Sequence, residues 1–453
     1  MYKENKQKRH NTVTKLLGSN FCAAPWTSFW ESPQGNVTFC CMSRESLGNT
    51  NDSPMEEILD SPQARTVRAS LLRNEMPQYC SNCFKNKDNV IDNNAKGWNQ
   101  IFHAVANTES DGKLNGNYIE WADLNFSNKC NFACLGCTPE LSDTIKRKYM
   151  PAYASLTEKT SEGHAKNWEH LPDDTVFANN SSTIDYIVNN AFSMSRIHLN
   201  GGEPWMQEGF YQLLDKLIVG GQHKSITLWT HTNGSISTWN RRNFIDEYLS
   251  IWHDAQVSMS CDGVGARGEY IRFGYTDRKW RKTYDKIQFL NKTRDNPINV
   301  TVQFSVNTFN ILTLSSHIKE ISEYIDTNST VSIELWRDDY IRSIAGAARI
   351  SEQFRIRALA ELEKVEKITN HTRRFALRPS IRDVLEDPHR NNASAHDSGT
   401  PVTERCRYFL DAINKLDAMR STDFASTFPE LDFLIQEIKQ IVAQTDQTHS
   451  HTS

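Results

Sequence analysis

The run Asn128-Lys129-Cys130-Asn131-Phe132-Ala133-Cys134-Leu135-Gly136-Cys137 brings three thiols into one short stretch. Soft sulfur ligands this close can share one metal centre. A structural zinc ion normally takes four protein ligands. No fourth Cys or His lies nearby, the next histidine being His164. Three cysteines on a cubane iron–sulfur cluster would instead leave one iron without a protein ligand, open to a substrate or cofactor.

A second thiol set lies earlier, at Cys22, Cys40-Cys41, Cys80 and Cys83. A hairpin turn at Pro33–Asn36 would carry Cys40 back toward Cys22, and Cys80 and Cys83 would complete a four-thiolate site. Four thiolates suit zinc or an iron–sulfur cluster, and geometry does not separate the two. Adjacent strand residues point to opposite faces, so only one of Cys40 and Cys41 should reach a metal. Cys261 and Cys406 stand alone and read as small buried hydrophobes.

The elements that must position these thiols follow from periodicity. Short β-rich runs at Tyr118–Phe126, Ser195–Leu199, Ser225–His231, Ala255–Cys261, Ile298–Val306 and Thr330–Trp336 alternate with amphipathic stretches. The helical candidates are Pro139–Tyr149, Thr183–Asn190, Gln207–Val219, Thr238–Trp252, Asp277–Asn291 and Ile311–Ile325. Six βα units predict an α/β structure, either a partial barrel or a doubly wound sheet. The first cysteine loop then falls at the carboxyl end of the first strand, where α/β barrels gather their active sites. Residues 150–180 read as an insertion, and helical patterns follow Trp336, at Glu352–Ile368 and Leu431–Ala443.

Across 453 residues, 51 Lys+Arg against 55 Asp+Glu leave a net charge of −4, which gives no global reason to expect nucleic-acid binding through a basic surface. Lys146-Arg147-Lys148 and Arg241-Arg242 are short runs that read as solvated faces. No run of 18 apolar residues predicts a membrane span, and the basic opening MYKENKQKRH predicts no secretory signal. A cytoplasmic location is expected. Ten cysteines in a reducing compartment then argue for metal or catalytic use over disulfides.

The CxxxCxxC spacing after WADLNFSNKCNFACLGC resembles the cluster loop of radical S-adenosylmethionine (SAM) enzymes. Leu199-Asn200-Gly201-Gly202-Glu203-Pro204 resembles that family's GGE(P) motif, and Thr230-His231-Thr232-Asn233-Gly234 its TNG segment. Ser258-Met259-Ser260-Cys261-Asp262-Gly263-Val264-Gly265 with Glu269-Tyr270-Ile271-Arg272 resembles the SIDGVG…EYIR segment of one subgroup. CAAPW…GNVTFCC…YCSNC is similar to the SPASM/twitch module, here ahead of the barrel. The resemblance implies a partial (β/α)6 TIM-like barrel at 111–340, following a basic flexible tail at 1–15 and a SPASM/twitch-like module at 16–110. A helical C-terminal extension at 341–443 and a flexible tail at 444–453 would complete the chain.

The resemblance also implies the site. Cys130, Cys134 and Cys137 would bind a [4Fe-4S] cluster whose fourth iron takes S-adenosyl-L-methionine. Gly201 and Gly202 would let backbone approach the cofactor's methionine part, and Glu203 would accept from its amino group. Ser260 and Arg272 are candidates for the ribose and carboxylate, and Asn233 and Asn307 for further contacts; for Ser260 and Asn307 a strand-end cap is an equal reading. Cys22, Cys40, Cys80 and Cys83 would hold an auxiliary [4Fe-4S] cluster, with zinc the alternative. The position before the last cysteine, often aromatic or Met in the family, is Gly136, so Phe132 or Trp205 is expected to meet the adenine.

The implied activity is reductive cleavage of SAM and hydrogen abstraction from a substrate, a peptide or protein side chain being one class. An electron donor such as flavodoxin or ferredoxin is implied as a partner. Glu334, Asp338 and Asp339 are candidate acids or bases at the sixth strand end. Two other readings stand beside this one: a catalytically silent iron–sulfur scaffold, and a zinc-stabilised nucleic-acid-binding protein, which would need a concentrated basic, aromatic surface.

Overall fold

The computed structural model describes residues 17–43, 45–80, 98–156, 180–336, 341–370, 374–388 and 401–450. Cys83, Asp338, Asp339 and the 1–15 tail lie outside the described residues. The chain forms two compact units: 1–128 with 172–230 and 246–256, and 129–171 with 231–245 and 257–453.

The first unit is built on six neighbouring strands. They are β1 (Ser28–Glu31), β2 (Asn36–Thr38), β3 (Gly48–Asn49), β4 (Trp121–Leu124), β5 (Arg196–Leu199) and β6 (Thr227–Thr232), in the order β3-β2-β1-β4-β5-β6. β1, β4, β5 and β6 run parallel, and β1-β2-β3 is an antiparallel meander. The expected hairpin is present: Trp30 pairs with Thr38, and Gly35 takes a left-handed φ of 81° at the turn. The sequence reading placed β1 in this hairpin but not in the parallel sheet. β1 adds the cysteine-rich segment to the first parallel strand through the register Trp30↔Asp123.

One face of these strands is apolar. Phe29, Ala122, Leu124, Ile197, Leu199 and Leu228 are buried there. The helix Glu208–Val219 buries Phe210, Leu213, Leu214 and Leu217, spaced as one helical face. Each such side chain contributes about 1.5–3 kcal/mol on full burial. The opposite face breaks the habit of parallel sheets, which are usually apolar on both sides. Trp30, Asp123, His198 and Trp229 stand in register across β1, β4, β5 and β6.

Glu31 ends β1 fully buried, its Oε1 accepting from Thr50 Oγ1 at 2.8 Å and Thr183 Oγ1 at 3.1 Å. Burial pushes its pKa up to about 7, against the smaller opposing effect of those hydroxyls. The folded state therefore keeps the acid protonated where the unfolded chain ionises. The resulting stability is complete below about pH 4.5 and is lost as pH rises to about 7, a total of about 3 kcal/mol. Urea midpoints should fall between pH 5 and pH 8 in the wild type, and Glu31→Gln should flatten that decline.

In the second unit β7 (Ala255–Ser260), β8 (Asn299–Val306), β9 (Thr330–Leu335) and β10 (Phe375–Leu377) are neighbours in that order, and β8, β9 and β10 are parallel. All six predicted strands thus exist. The helical candidate Thr238–Trp252 does not hold throughout: Thr238–Trp239 and Arg242–Asn243 form a small hairpin before a wide helical turn at Ile245–Leu249. Asn240 and Arg241 both take positive φ, which ends any helix there. Beyond residue 341 the unit is largely helical, with Glu352–Thr369, Val402–Arg420 and Asp432–Ser450 the longest helices. The last continues past 443 to Ser450, within the segment read as a tail. Among the described residues no helix is long and apolar enough to cross a membrane.

Candidate functional site

The three-cysteine loop belongs to the second unit and is fastened almost atom by atom. Ala133–Cys134 pairs antiparallel with Arg272–Phe273, so Cys134 stands opposite Arg272, and Leu135 N donates to Ile271 O at 2.8 Å. Cys130 N donates to Asp143 Oδ1 at 2.8 Å, and Thr144 Oγ1 to Cys130 O at 2.6 Å. Ser142 Oγ donates to Phe132 O at 2.6 Å, while Tyr153 OH lies 2.8 Å from Ala133 O and 2.6 Å from Cys134 O. Arg342 Nη1 donates to Leu135 O at 2.8 Å and Arg420 Nη2 to Ala133 O at 2.6 Å. These bonds engage the carbonyls of Cys130, Phe132, Ala133, Cys134 and Leu135 and so fix much of the backbone that carries the three sulfurs.

Cys130 is buried, and Cys134 and Cys137 are half-buried. Burial pushes the Cys134 thiol up, partly countered by the Arg272 guanidinium, whose Nη1 lies 3.9 Å from the sulfur. Burial and then the neighbouring Cys134 push Cys137 up to about 12. Such thiols are protonated when unligated, and metal binding must displace the protons. Among the described residues no group of three or more His, Cys, Asp or Glu converges as a single metal ion would require. As a donor set, three thiols on one fixed loop fit a cluster with one open iron.

The other predicted residues divide between the units. In the second, Arg272 Nε donates to Asp262 Oδ2 at 2.8 Å; burial opposes its charge, but Asp262 and Cys134 hold the guanidinium charged, its pKa above the usual range. Asp262 also accepts from Ser305 N at 2.8 Å. Asn233 Nδ2 donates to Asn131 Oδ1 at 2.9 Å, next to Cys130, and its Oδ1 accepts from Ser235 N. Asn307 is fully buried and used by backbone: its Oδ1 accepts from Phe309 N at 2.9 Å and its Nδ2 donates to Ser305 O at 3.0 Å. The carbonyl of half-buried Ser260 accepts from Trp280 Nε1 at 3.1 Å. Glu334 is engaged by Gln303 and Ser332, with Arg378 at 3.6 Å.

In the first unit Gly201 and Gly202 have φ of 76° and 30°. A Cβ on Gly201 would come within 2.7 Å of Asn125 Oδ1, so both conformation and space demand glycine. Glu203 is fully buried, its Oε1 accepting from Trp205 N at 3.2 Å. Cys40 is half-buried, its thiol pushed up by burial, and Cys41 is exposed; both lie past the end of β2, so strand alternation does not decide between them. Cys22 and Cys80 are half-buried.

The expected aromatic substitutes for Gly136 are not presented to a ligand. Phe132 is 1% exposed and Trp205 is fully buried. Instead, the half-buried Trp336 ring lies against Gly136, where a Cβ would meet ring carbons at 2.6–3.0 Å. The Arg342 guanidinium stacks 5.4 Å from that ring's centroid.

Asp123 and His198 escaped the sequence reading. His198 Nδ1 stands 3.1 Å from Asp123 Oδ1, and its ring stacks on Trp229 at 4.0 Å. Arg196 lies over the Trp121 and Trp229 rings at 5.2 and 5.8 Å. The signal was present in the alternations Trp121-Ala122-Asp123-Leu124-Asn125 and Arg196-Ile197-His198-Leu199-Asn200. Polar residues at every second position of a parallel strand mark a face that is not packed core.

Residues 22–84 match the model of the SPASM iron–sulfur cluster-binding domain. The amino-terminal segment is thus similar to iron–sulfur cluster-binding domains of the SPASM class. Comparison with curated proteins returns no match. Among solved structures, "Native anSMEcpe with bound AdoMet" is 17% identical, over 56% of this chain and 62% of that one, with a TM-score of 0.35. Streptococcus suis SuiB bound to S-adenosylmethionine is 14% identical over 70% and 66%, with a TM-score of 0.36. SuiB bound to precursor peptide SuiA is 12% identical over 70% and 66%, with a TM-score of 0.34. This chain spans under two thirds of those chains' length, and overlaps this low transfer no role.

Proposed function

We propose that the chain is a radical SAM enzyme with two iron–sulfur centres, acting on a peptide or protein side chain. The observation that carries this is the Cys130–Cys137 loop, whose carbonyls are held by Arg342, Arg420 and Tyr153 while its three sulfurs remain as the donor set. The motif order and the SPASM match over residues 22–84 support the same reading. Cys130, Cys134 and Cys137 would hold the open-iron cluster, and Cys22, Cys40, Cys80 and Cys83 the auxiliary one. Gly201, Gly202 and Glu203 would receive the methionine part of SAM, with Arg272, Asn233, Ser260 and Asn307 as further candidates. Arg272 is held by Asp262 at 2.8 Å, so it would meet a cofactor carboxylate only at a vertex not used by that pair. Bound there, the cluster and SAM supply reductive cleavage and hydrogen abstraction. The chain's part is to orient the substrate and exclude water.

Anaerobic purification with iron and sulfide analysis, then reductant and SAM, tests the reading. About eight irons per chain and formation of 5′-deoxyadenosine are expected. Stoichiometric zinc without iron would contradict it. Changing Cys80 and Cys83 together to Ala should remove about four irons and leave SAM cleavage detectable. Iron with no 5′-deoxyadenosine across candidate peptide substrates would favour the silent-scaffold reading.

A further inference from the structure

The helix Val402–Arg420 buries Cys406, Phe409, Ile413, Leu416 and Arg420, a stripe spaced by three, four, three and four residues. A stripe of that spacing faces the interior, and its last position would ordinarily be apolar. Here it is a guanidinium, 7% exposed. Its nitrogens meet only neutral groups: Ala133 O at 2.6 Å, Tyr153 OH at 3.0 Å and Tyr270 O at 3.4 Å. Phe273, Tyr149 and Tyr153 wall it with rings at 4.7, 5.3 and 6.0 Å. Its Nε has no hydrogen-bond partner, and no carboxylate among the described residues lies within ion-pair reach.

A buried charge without a counter-charge is costly, and carbonyls, rings and a helix C-terminus offset only part of that cost. The contrast with Arg272, which has Asp262, is direct. What Arg420 does face is the Ala133–Cys134 backbone, inside the loop whose three thiols become thiolates on metal binding.

The geometry points to Arg420 as the counter-cation of the anionic cluster held by Cys130, Cys134 and Cys137, which makes the helix Val402–Arg420 a working part of that centre. This rests on the proposed function and adds to it a residue outside the motifs. Arg420 is a positioning residue: it grips the loop through Ala133 O, and its charge favours the more negative, reduced state of the cluster. Net charge and hydrogen bonding near the sulfurs are the means by which a protein sets a cluster's potential.

The test is an anaerobic redox titration, followed by electron paramagnetic resonance, of the reconstituted full chain and its Arg420→Gln, Arg420→Lys and Tyr153→Phe variants. The loop cluster is identified as the signal lost in Cys134→Ala. Arg420→Gln should disfavour reduction of that cluster about tenfold, a shift of about −59 mV for one electron. Arg420→Lys should stay near wild type, and Tyr153→Phe, which removes the hydroxyl's bonds to Ala133 O and Cys134 O but no charge, should shift the potential by less than Arg420→Gln. If Arg420→Gln loses that iron and Arg420→Lys keeps it, the need for a charge is supported. An unchanged potential in Arg420→Gln at full iron content, or loss of the iron in both Arg420 variants, overturns the role of Arg420 alone. A wild type with no Cys134-dependent iron overturns the proposed function as well.

Discussion

Cys134→Ala is expected to reduce SAM cleavage to background and to remove about four irons per chain, while the amino-terminal iron stays. The residue pairs with Arg272 through backbone in a two-stranded antiparallel sheet, and alanine keeps those bonds. Its sulfur is half-buried and meets Arg272 Nη1 only at 3.9 Å, so the cost to folding should be small, about 1 kcal/mol. Loss of function would then be chemical: two thiolates in place of three cannot hold a cubane with a single open iron. Iron analysis and chromatography of 5′-deoxyadenosine, alongside a urea melt, separate the two effects. Retained cleavage with three-quarters of the loop iron would contradict the assignment.

Gly136→Val should be the most damaging change in the loop that touches no ligand. A Cβ there meets the Trp336 indole at 2.6–3.0 Å, closer than carbon atoms approach. Moving Trp336 away would also disturb Arg342, which stacks on its ring while donating to Leu135 O. Overpacking of this kind costs about 1–3 kcal/mol and displaces the backbone that carries Cys137. A fall in urea midpoint and in loop-bound iron is expected. Trp336→Ala in the Gly136→Val background should recover most of both. Additive losses in the double variant would show that the two positions do not share one space.

The glycine at this position illustrates what was readable in the chain and what was not. Gly136 was evident as a departure from the family pattern, but Trp336 lies two hundred residues further on. No local pattern ties the two together. The parallel strands were readable because each is a short β-rich run followed by a helix with its own apolar face, signals contained within one window. The parallel pairing of Ser28–Glu31 with Trp121–Leu124 was missed because the two strands lie far apart in the chain, whereas the local hairpin to Asn36–Thr38 was legible. Thr238–Trp252 read as one helix because its apolar spacing is helical, yet positive φ at Asn240 and Arg241 turns the chain into a hairpin. Arg420 was invisible for another reason: an arginine at a helix end reads as solvated until the packing shows it buried against Ala133. The candidate ligands were legible because cysteine spacing is itself local. The residues that hold the ligands in place come from helices and strand ends whose meeting is tertiary.

The most direct measurement of the central claim is electron paramagnetic resonance of the anaerobic, reduced chain before and after SAM is added. An iron with no protein ligand should bind the added cofactor, so the spectrum of one cluster should change. That change should be absent in Cys134→Ala and present when Cys80 and Cys83 are replaced by Ala. A full complement of iron whose spectrum is indifferent to SAM would contradict an open iron on the Cys130–Cys137 loop, and with it the proposed enzyme.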